Sequence, residues 1–237
     1  MQNIAVMQPY FFPYIGYFQL MHAADTFVFL DDVSYIKGGW INRNRILIHG
    51  KPAFFSIPCK NVSSNKYIAD IRHDLDENKR EKLLRKIQVS YSKAPFFPPV
   101  FGLVRDVIHS KADGIAELAV TSAQSVCDYL GIDTRVTISS ALDYERATDK
   151  TMRLINICKT QNAATYINSA GGKALYDPVS FSNEGILLQF IEGRITPYRQ
   201  FNSDFVPSLS IIDVLMFNSV PAVQKMLAEY TLNNTYG

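Results

Sequence analysis

The sequence predicts an α/β protein built on an open, mainly parallel sheet, with a β-hairpin and helical insertion. Three observations predict it. An apolar run, Ile4-Ala5-Val6-Met7, stands near the start and is ended by Gln8-Pro9, since proline lacks the N–H that a ladder needs. A second run, Thr26 to Leu30, follows a helix-like stretch, so strand, loop, helix and strand open a βαβ unit. The second half alternates helix and strand, which extends a parallel sheet.

The elements follow in order. Gly16 to Ala24 carries Phe18, Leu20, Met21 and Ala24 at mixed helical spacing. Thr26 to Leu30 has the β-branched and aromatic composition of a buried strand. Ile46 to Ile48 and Ala53 to Ile57 read as a hairpin turned at Gly50-Lys51-Pro52. Leu75 to Tyr91 is a charged helix with Leu83, Leu84 and Ile87 on one stripe. Lys93 to Pro99 reads as irregular because it holds three prolines. Val100, Phe101, Val104 and Ile108 mark a helix, and Ile115 to Tyr129 another, closed by Gly131.

Thr134 to Ile138 is a strand, Thr151 to Lys159 a helix and Ala164 to Asn168 a strand. Ile186 to Ile191 is one more strand, with Thr196-Pro197-Tyr198 at the edge. Ser210-x-x-Asp213 reads as a capping box with Asp213 as its acid. Ser219-Val220-Pro221 opens the last helix, with proline in the first turn. Residues 1–237 read as one domain, with 46–98 as a candidate inserted hairpin-plus-helix subdomain.

Composition narrows the function classes. Hydrophobic residues make up 47% and charged residues 19%, which excludes a disordered chain. Lys+Arg is 24 and Asp+Glu 22, a net charge of +2. That balance offers no electrostatic grip on nucleic acid or an anionic bilayer. No apolar stretch reaches a membrane span, and Met1-Gln2-Asn3-Ile4 lacks a signal peptide's basic region. The 3 cysteines form no disulfide framework and no Cys-x-x-Cys pair. The expected setting is a reducing, cytoplasmic one. The unusual component is aromatic: Tyr 13 and Phe 15, against Trp 1.

Ligands of open α/β sheets bind at the carboxyl ends of the strands, which draws attention to two loops. Gln8 to Phe18 holds Gln8, Tyr10, Tyr14, Gly16 and Tyr17 among two prolines and three phenylalanines. The phenylalanines read as core. The tyrosines suit a flat or sugar-like ligand, and Gly16 permits close backbone approach. The second loop carries Asp31 and Asp32, then Lys37, Trp40, Asn42, Arg43, Asn44 and Arg45. Paired carboxylates could take a metal, a ribose or an amine. Lys37, Arg43 and Arg45 could hold a phosphate, the arginines bidentately.

A third group, Ser169, Gly171 and Tyr176, surrounds a Gly-Gly pair that reads equally as a turn or an anion site. His22, His49, His73 and His109 show no metal-ligand spacing. Cys127 and Cys158 read as buried thiols. Cys59 is a candidate nucleophile only if a neighbour such as Lys60 lowers its pKa. No metal site and no cofactor are assigned.

Several of these motifs together resemble the WbqC-like family. They are Gln8 to Phe18, Asp31-Asp32-Val33, Trp40 to Asn44 and Phe205 to Asp213, with Ser90 to Pro95, Leu130 to Thr134 and Tyr166 to Gly171 between. The resemblance runs end to end. It implies an association with bacterial surface-polysaccharide (O-antigen-like) gene clusters, hence action on activated or amino sugars. The expected function is modification of a nucleotide-linked amino sugar by acyl or aminoacyl transfer. Asp31, Asp32 and Lys37 would be catalytic, with Asp31 or Asp32 positioning or deprotonating the amine. The expected partners are small: a nucleotide or sugar ligand, an acyl or aminoacyl donor, and a second copy of the chain.

The opening segment also resembles, more distantly, adenylate-forming nucleotidylyltransferases such as pantothenate synthetase, which implies a Rossmann-like, nucleotidylyltransferase-like fold. Their His-x-Gly-His motif falls on Tyr14-Ile15-Gly16-Tyr17. Phenols there cannot carry the histidines' charge onto a transferring phosphate. That counts against ordinary nucleotidyl transfer. Two rival readings are an ATP-using adenylate-forming or ligase-like enzyme, which the missing histidines also count against, and a non-catalytic binding protein of a glycan assembly complex.

Overall fold

The computed structural model describes residues 2–201 and 204–234. Six strands form one sheet: β1 (Asn3–Met7), β2 (Thr26–Phe29), β5 (Arg135–Ile138), β6 (Thr165–Ser169), β7 (Leu187–Gly193) and β8 (Tyr230–Asn234). Their spatial order is β5-β2-β1-β6-β7-β8. The first five are parallel and β8 runs antiparallel to β7. Counted along the chain, the parallel strands stand 3-2-1-4-5, the doubly wound order whose switch point lies between the first and fourth strands. β3 (Arg43–Ile48) and β4 (Lys51–Ser56) make a separate hairpin.

The strands obey the period of two. Ile4, Val6 and Val28 face one apolar cluster, while Ala5, Phe27 and Phe29 face the other. Helices α5 (Lys150–Thr160) and α6 (Pro178–Ser182) cover the first face. The larger cluster takes α1 (Ile15–Ala23), α2 (Glu77–Tyr91), α3 (Phe97–Ile108), α4 (Ile115–Leu130), α7 (Ile211–Phe217) and α8 (Val220–Leu227). Ile46, Leu47 and Phe55 of the hairpin belong to that same cluster.

Several local readings need correction. The hairpin turns at His49 and Gly50, both with positive φ (50 and 74), the type I′ geometry that matches strand twist. Lys51 and Pro52 are already strand. Pro52 is tolerated because it pairs with Leu47 at a non-hydrogen-bonded position, where the Leu47 N–H points out of the hairpin to the Tyr91 hydroxyl and the missing proline N–H costs no ladder bond. The proline-rich stretch is not wholly irregular. Pro98 and Pro99 occupy the first turn of α3, where the missing N–H costs nothing. The edge strand is β8 rather than Thr196 to Tyr198, and the short α6 carried no periodic signal.

The capping box is only half formed. Ser210 Oγ accepts from the Ile212 N–H, but Asp213 turns inward and is fully buried. It accepts from Tyr91 (2.7 Å), Tyr198 (2.6 Å) and Gln200 (2.8 Å). Burial raises its pKa, and the three donors only partly offset that. Removing the acceptor strands three polar groups in the core. Asp213→Ala should destabilise the protein by about 3 kcal/mol, read as a lower urea-unfolding midpoint.

Candidate functional site

The site begins with a strained residue. Phe12 adopts φ 40, a left-handed conformation that costs a bulky side chain of order 1–3 kcal/mol. Its N–H donates to Ser122 Oγ of α4 (3.0 Å), and its carbonyl accepts from Asn44 Nδ2 (2.9 Å) and Ser210 Oγ (2.7 Å). Three distant segments thus hold the loop after β1. Phe11 and Phe12 are buried in the core, as their composition predicts.

That loop delivers Tyr10 and Tyr14 to a cavity of about 290 Å³, completed by Trp40, Asn44, Arg45 and Ser208. Five residues singled out from the sequence therefore meet in one place. Burial raises the pKa of Tyr14, and that of Tyr10 with help from Tyr14. Both remain neutral hydrogen-bonding phenols. Arg45 donates to the Ser208 carbonyl (3.3 Å) and lies 5.9 Å from the Trp40 ring centre. Among the described residues its buried Nε has no partner, an N–H whose desolvation is uncompensated.

Tyr14 is also the N-cap of α1 and a wall of a second cavity, about 360 Å³, which includes Gly16, Ser169, Gly171 and Glu192. This cavity sits at the carboxyl ends of β6 and β7 beside α1, the helix that follows β1, and so borders the point where the strand order reverses. Gly16 has a specific reason to lack a side chain. A Cβ there would fall 2.4 Å from Tyr14 Cε2, so the glycine lets the ring fold over the first turn. The Gly-Gly pair builds no helix N-terminus, because Ala170–Gly172 is a single 3-10 turn. Tyr176 stands apart, packed edge-on against Tyr166 and Phe181.

A third cavity, about 350 Å³, opens beside Lys37, Asn42 and Arg43. Asn42 is occupied structurally, accepting from Tyr35 and donating to Ile57. Arg43 donates to the Gly39 and Gly38 carbonyls and covers the Phe54 ring at 4.3 Å. Cys59 lines this cavity, but burial pushes its thiol up to about 12. It is no activated nucleophile.

Other expected residues lie elsewhere. Tyr17 is 1% exposed and donates to the Gln8 carbonyl, so its hydroxyl faces no ligand. Gln8 takes part through that carbonyl. Asp31 and Asp32 are buried at the end of β2. Asp31 accepts from Ser139 and Ser140, and Asp32 from Ser139, Tyr144 and Arg146. These bonds tie β2 to the chain after β5, and neither carboxylate lines the three cavities. The carboxylate that does face the crevice is Glu192, paired with Lys173 at 2.5 Å. No motif marked it, because its role depends on β7 lying next to β6.

Among the described residues, Glu77, Glu81 and His109 have the mutual reach to share a cation. They join α2 to α3, are exposed, and line none of the three cavities.

The WbqC-like protein family model matches residues 8–225. The chain belongs to the WbqC-like family. This WbqC-like chain is also 28% identical over 222 residues to the uncharacterized protein Rv1507c of Mycobacterium tuberculosis, spanning 92% of this chain and 94% of that one. No solved structure matches it. The family match covers the Tyr14 crevice, the Arg45 hairpin and Ser208 together. Among the described residues of this WbqC-like chain, no helix is long and apolar enough to cross a membrane.

Two outcomes test these assignments. Burial pushes the Asp32 pKa up, but hydrogen bonds from Ser139, Tyr144 and Arg146, with the Arg146 charge, outweigh it and the net shift is downward from 3.8. A depressed folded-state pKa contributes stability above the unfolded value, and the contribution is lost as pH falls through the folded one. Asp32→Asn should therefore cost roughly 2 kcal/mol at pH 7, and the gap from wild type should close on acidification below 3.8. Urea unfolding at pH 7 and at acid pH measures it. Gly16→Ala should displace the Tyr14 ring while leaving the fold intact, visible as a changed Tyr14 environment in NMR spectra.

Proposed function

We propose that the crevice around Tyr14 binds a nucleotide-linked amino sugar, and that the chain is a transferase that acylates or aminoacylates the sugar amine in surface-polysaccharide precursor synthesis. One observation carries the ligand class. Three aromatic rings and a guanidinium whose buried Nε has no partner among the described residues line a cavity that adjoins the sheet's switch point. Rings and a guanidinium suit a flat base and an anionic phosphate. The first cavity takes the nucleotide, with Tyr10, Tyr14 and Trp40 against the base and Arg45 on phosphate.

The second cavity takes the sugar. Its lining offers polar groups from Ser169, the Gly171 backbone and Glu192 among apolar neighbours such as Ile191 and Ile195. Glu192 replaces the buried Asp31 and Asp32 as the carboxylate that receives and orients the sugar amine. The family's association with polysaccharide clusters motivates the sugar and the amine. The missing histidines of the nucleotidylyltransferase motif speak against the ATP-using alternative.

Isothermal titration with a panel of UDP-linked amino sugars tests the reading. Arg45→Ala and Trp40→Ala should each weaken binding about 10-fold. Glu192→Gln should discriminate against the free amine relative to its acetylated form. A panel with no binder rejects the ligand class. Binding without turnover, with any acyl or aminoacyl donor, would leave a binding protein instead.

A further inference from the structure

The third cavity is left over by that reading, and its chemistry differs from the other two. In β3 the side chains of Arg43 and Arg45 share one face, two residues apart, which is about 7 Å along a strand. Arg45 faces the first cavity and Arg43 the third. Between them lies an exposed aromatic strip. Arg43 covers Phe54 at 4.3 Å, Phe54 lies 6.2 Å from Trp40, and Trp40 lies 5.9 Å from Arg45. Phe54 and Trp40 are 45% and 39% exposed, so apolar surface is left open between two cations.

The charges around this strip are unbalanced. Among the described residues, no acidic side chain lines the first or the third cavity. Among the described residues, Lys37, Arg43 and Arg45 form no salt bridge with a carboxylate. Ser56 adds a hydroxyl to the third cavity. Cations gathered without counter-charge at the wall of a concave site raise the local concentration of anions. A single nucleotide sugar places its phosphates at one of these cavities and leaves the other uncompensated.

We propose that the third cavity is a separate subsite for a second, phosphate-bearing ligand, the group donor, held by Lys37 and Arg43. Its apolar portion lies over Phe54 and Trp40 toward the first cavity. The assignment as a donor rests on the transferase reading; the anion site does not. Two donor classes share this chemistry: an acyl thioester of coenzyme A, and an acyl or aminoacyl adenylate. The cavity itself supplies no covalent step, because the Cys59 thiol is held protonated.

The test is isothermal titration of the full chain with inorganic pyrophosphate, coenzyme A and AMP, each with and without a saturating UDP-linked sugar. Lys37 is exposed and makes no ion pair among the described residues, so Lys37→Glu should fold normally, checked by its thermal midpoint. It should weaken pyrophosphate at least 10-fold and leave the UDP-sugar affinity unchanged. Arg45→Ala should do the converse. Phe54→Ala should weaken coenzyme A or AMP more than pyrophosphate, and whichever of the two binds more tightly names the donor class.

Pyrophosphate binding abolished by a saturating UDP-sugar would overturn the proposal, as would Lys37→Glu leaving untouched the pyrophosphate binding measured beside that sugar. If neither coenzyme A nor AMP binds more tightly than pyrophosphate, the donor assignment falls. If no UDP-sugar binds but pyrophosphate remains sensitive to Lys37→Glu, the nucleotide-sugar reading fails while the anion subsite stands.

Discussion

Everything in the crevice depends on the backbone of Phe12. It is held in a left-handed conformation that its own side chain disfavours, because it is bonded at both ends. Ser122 comes from α4, Asn44 from β3 and Ser210 from the N-cap of α7. These three contacts bring the loop after the first strand, the hairpin and the C-terminal helices to one point. They also set the spacing of Tyr10, Tyr14, Trp40 and Arg45. Strain of this kind persists only where the surroundings over-determine it, and here three hydrogen bonds and two buried phenylalanine rings do so.

The polar groups divide into two populations. One is spent on architecture. Asp31 and Asp32 join β2 to the turn after β5, Asp213 collects Tyr91, Tyr198 and Gln200, and Asn42 and Asn44 hold loops. Each is buried or half-buried and hydrogen-bonded, as groups removed from water must be. The other population keeps unused capacity: the Arg45 Nε, the exposed Lys37, and the tyrosine hydroxyls of the first cavity. That contrast separates scaffold from site, and the sequence alone does not show it, because Asp31, Asp32, Asn42 and Asn44 of the first population share the fifteen residues 31–45 with Lys37 and Arg45 of the second.

The fold class was legible because its signals are local. Ile4 to Met7 and Thr26 to Phe29 are apolar on both faces, as strands of a covered sheet must be, and Gly131 closes α4 with φ 67. The misread elements have local explanations too. Pro98 and Pro99 look like helix breakers until the helix is seen to start at them. The edge strand β8 is short and half polar, so its pattern is indistinct. Tyr10, Tyr14 and Trp40 do come from two loops at strand ends, as the sequence suggests, whereas Asn44 and Arg45 lie in β3, whose start the sequence pattern marks only at Ile46.

Residue types and their order were enough to establish a parallel α/β sheet, the loops at its carboxyl edge and the aromatic and basic character of those loops. Which side chains face a ligand was decided only by packing. Tyr14 and Tyr17 are three residues apart, yet one lines two cavities and the other is buried beneath Gln8. Asp32 and Glu192 are both carboxylates at strand ends, yet only Glu192 faces the crevice. The physical reason is common to both pairs. A polar group's availability depends on what the fold places beside it, and those neighbours come from segments far away in the chain.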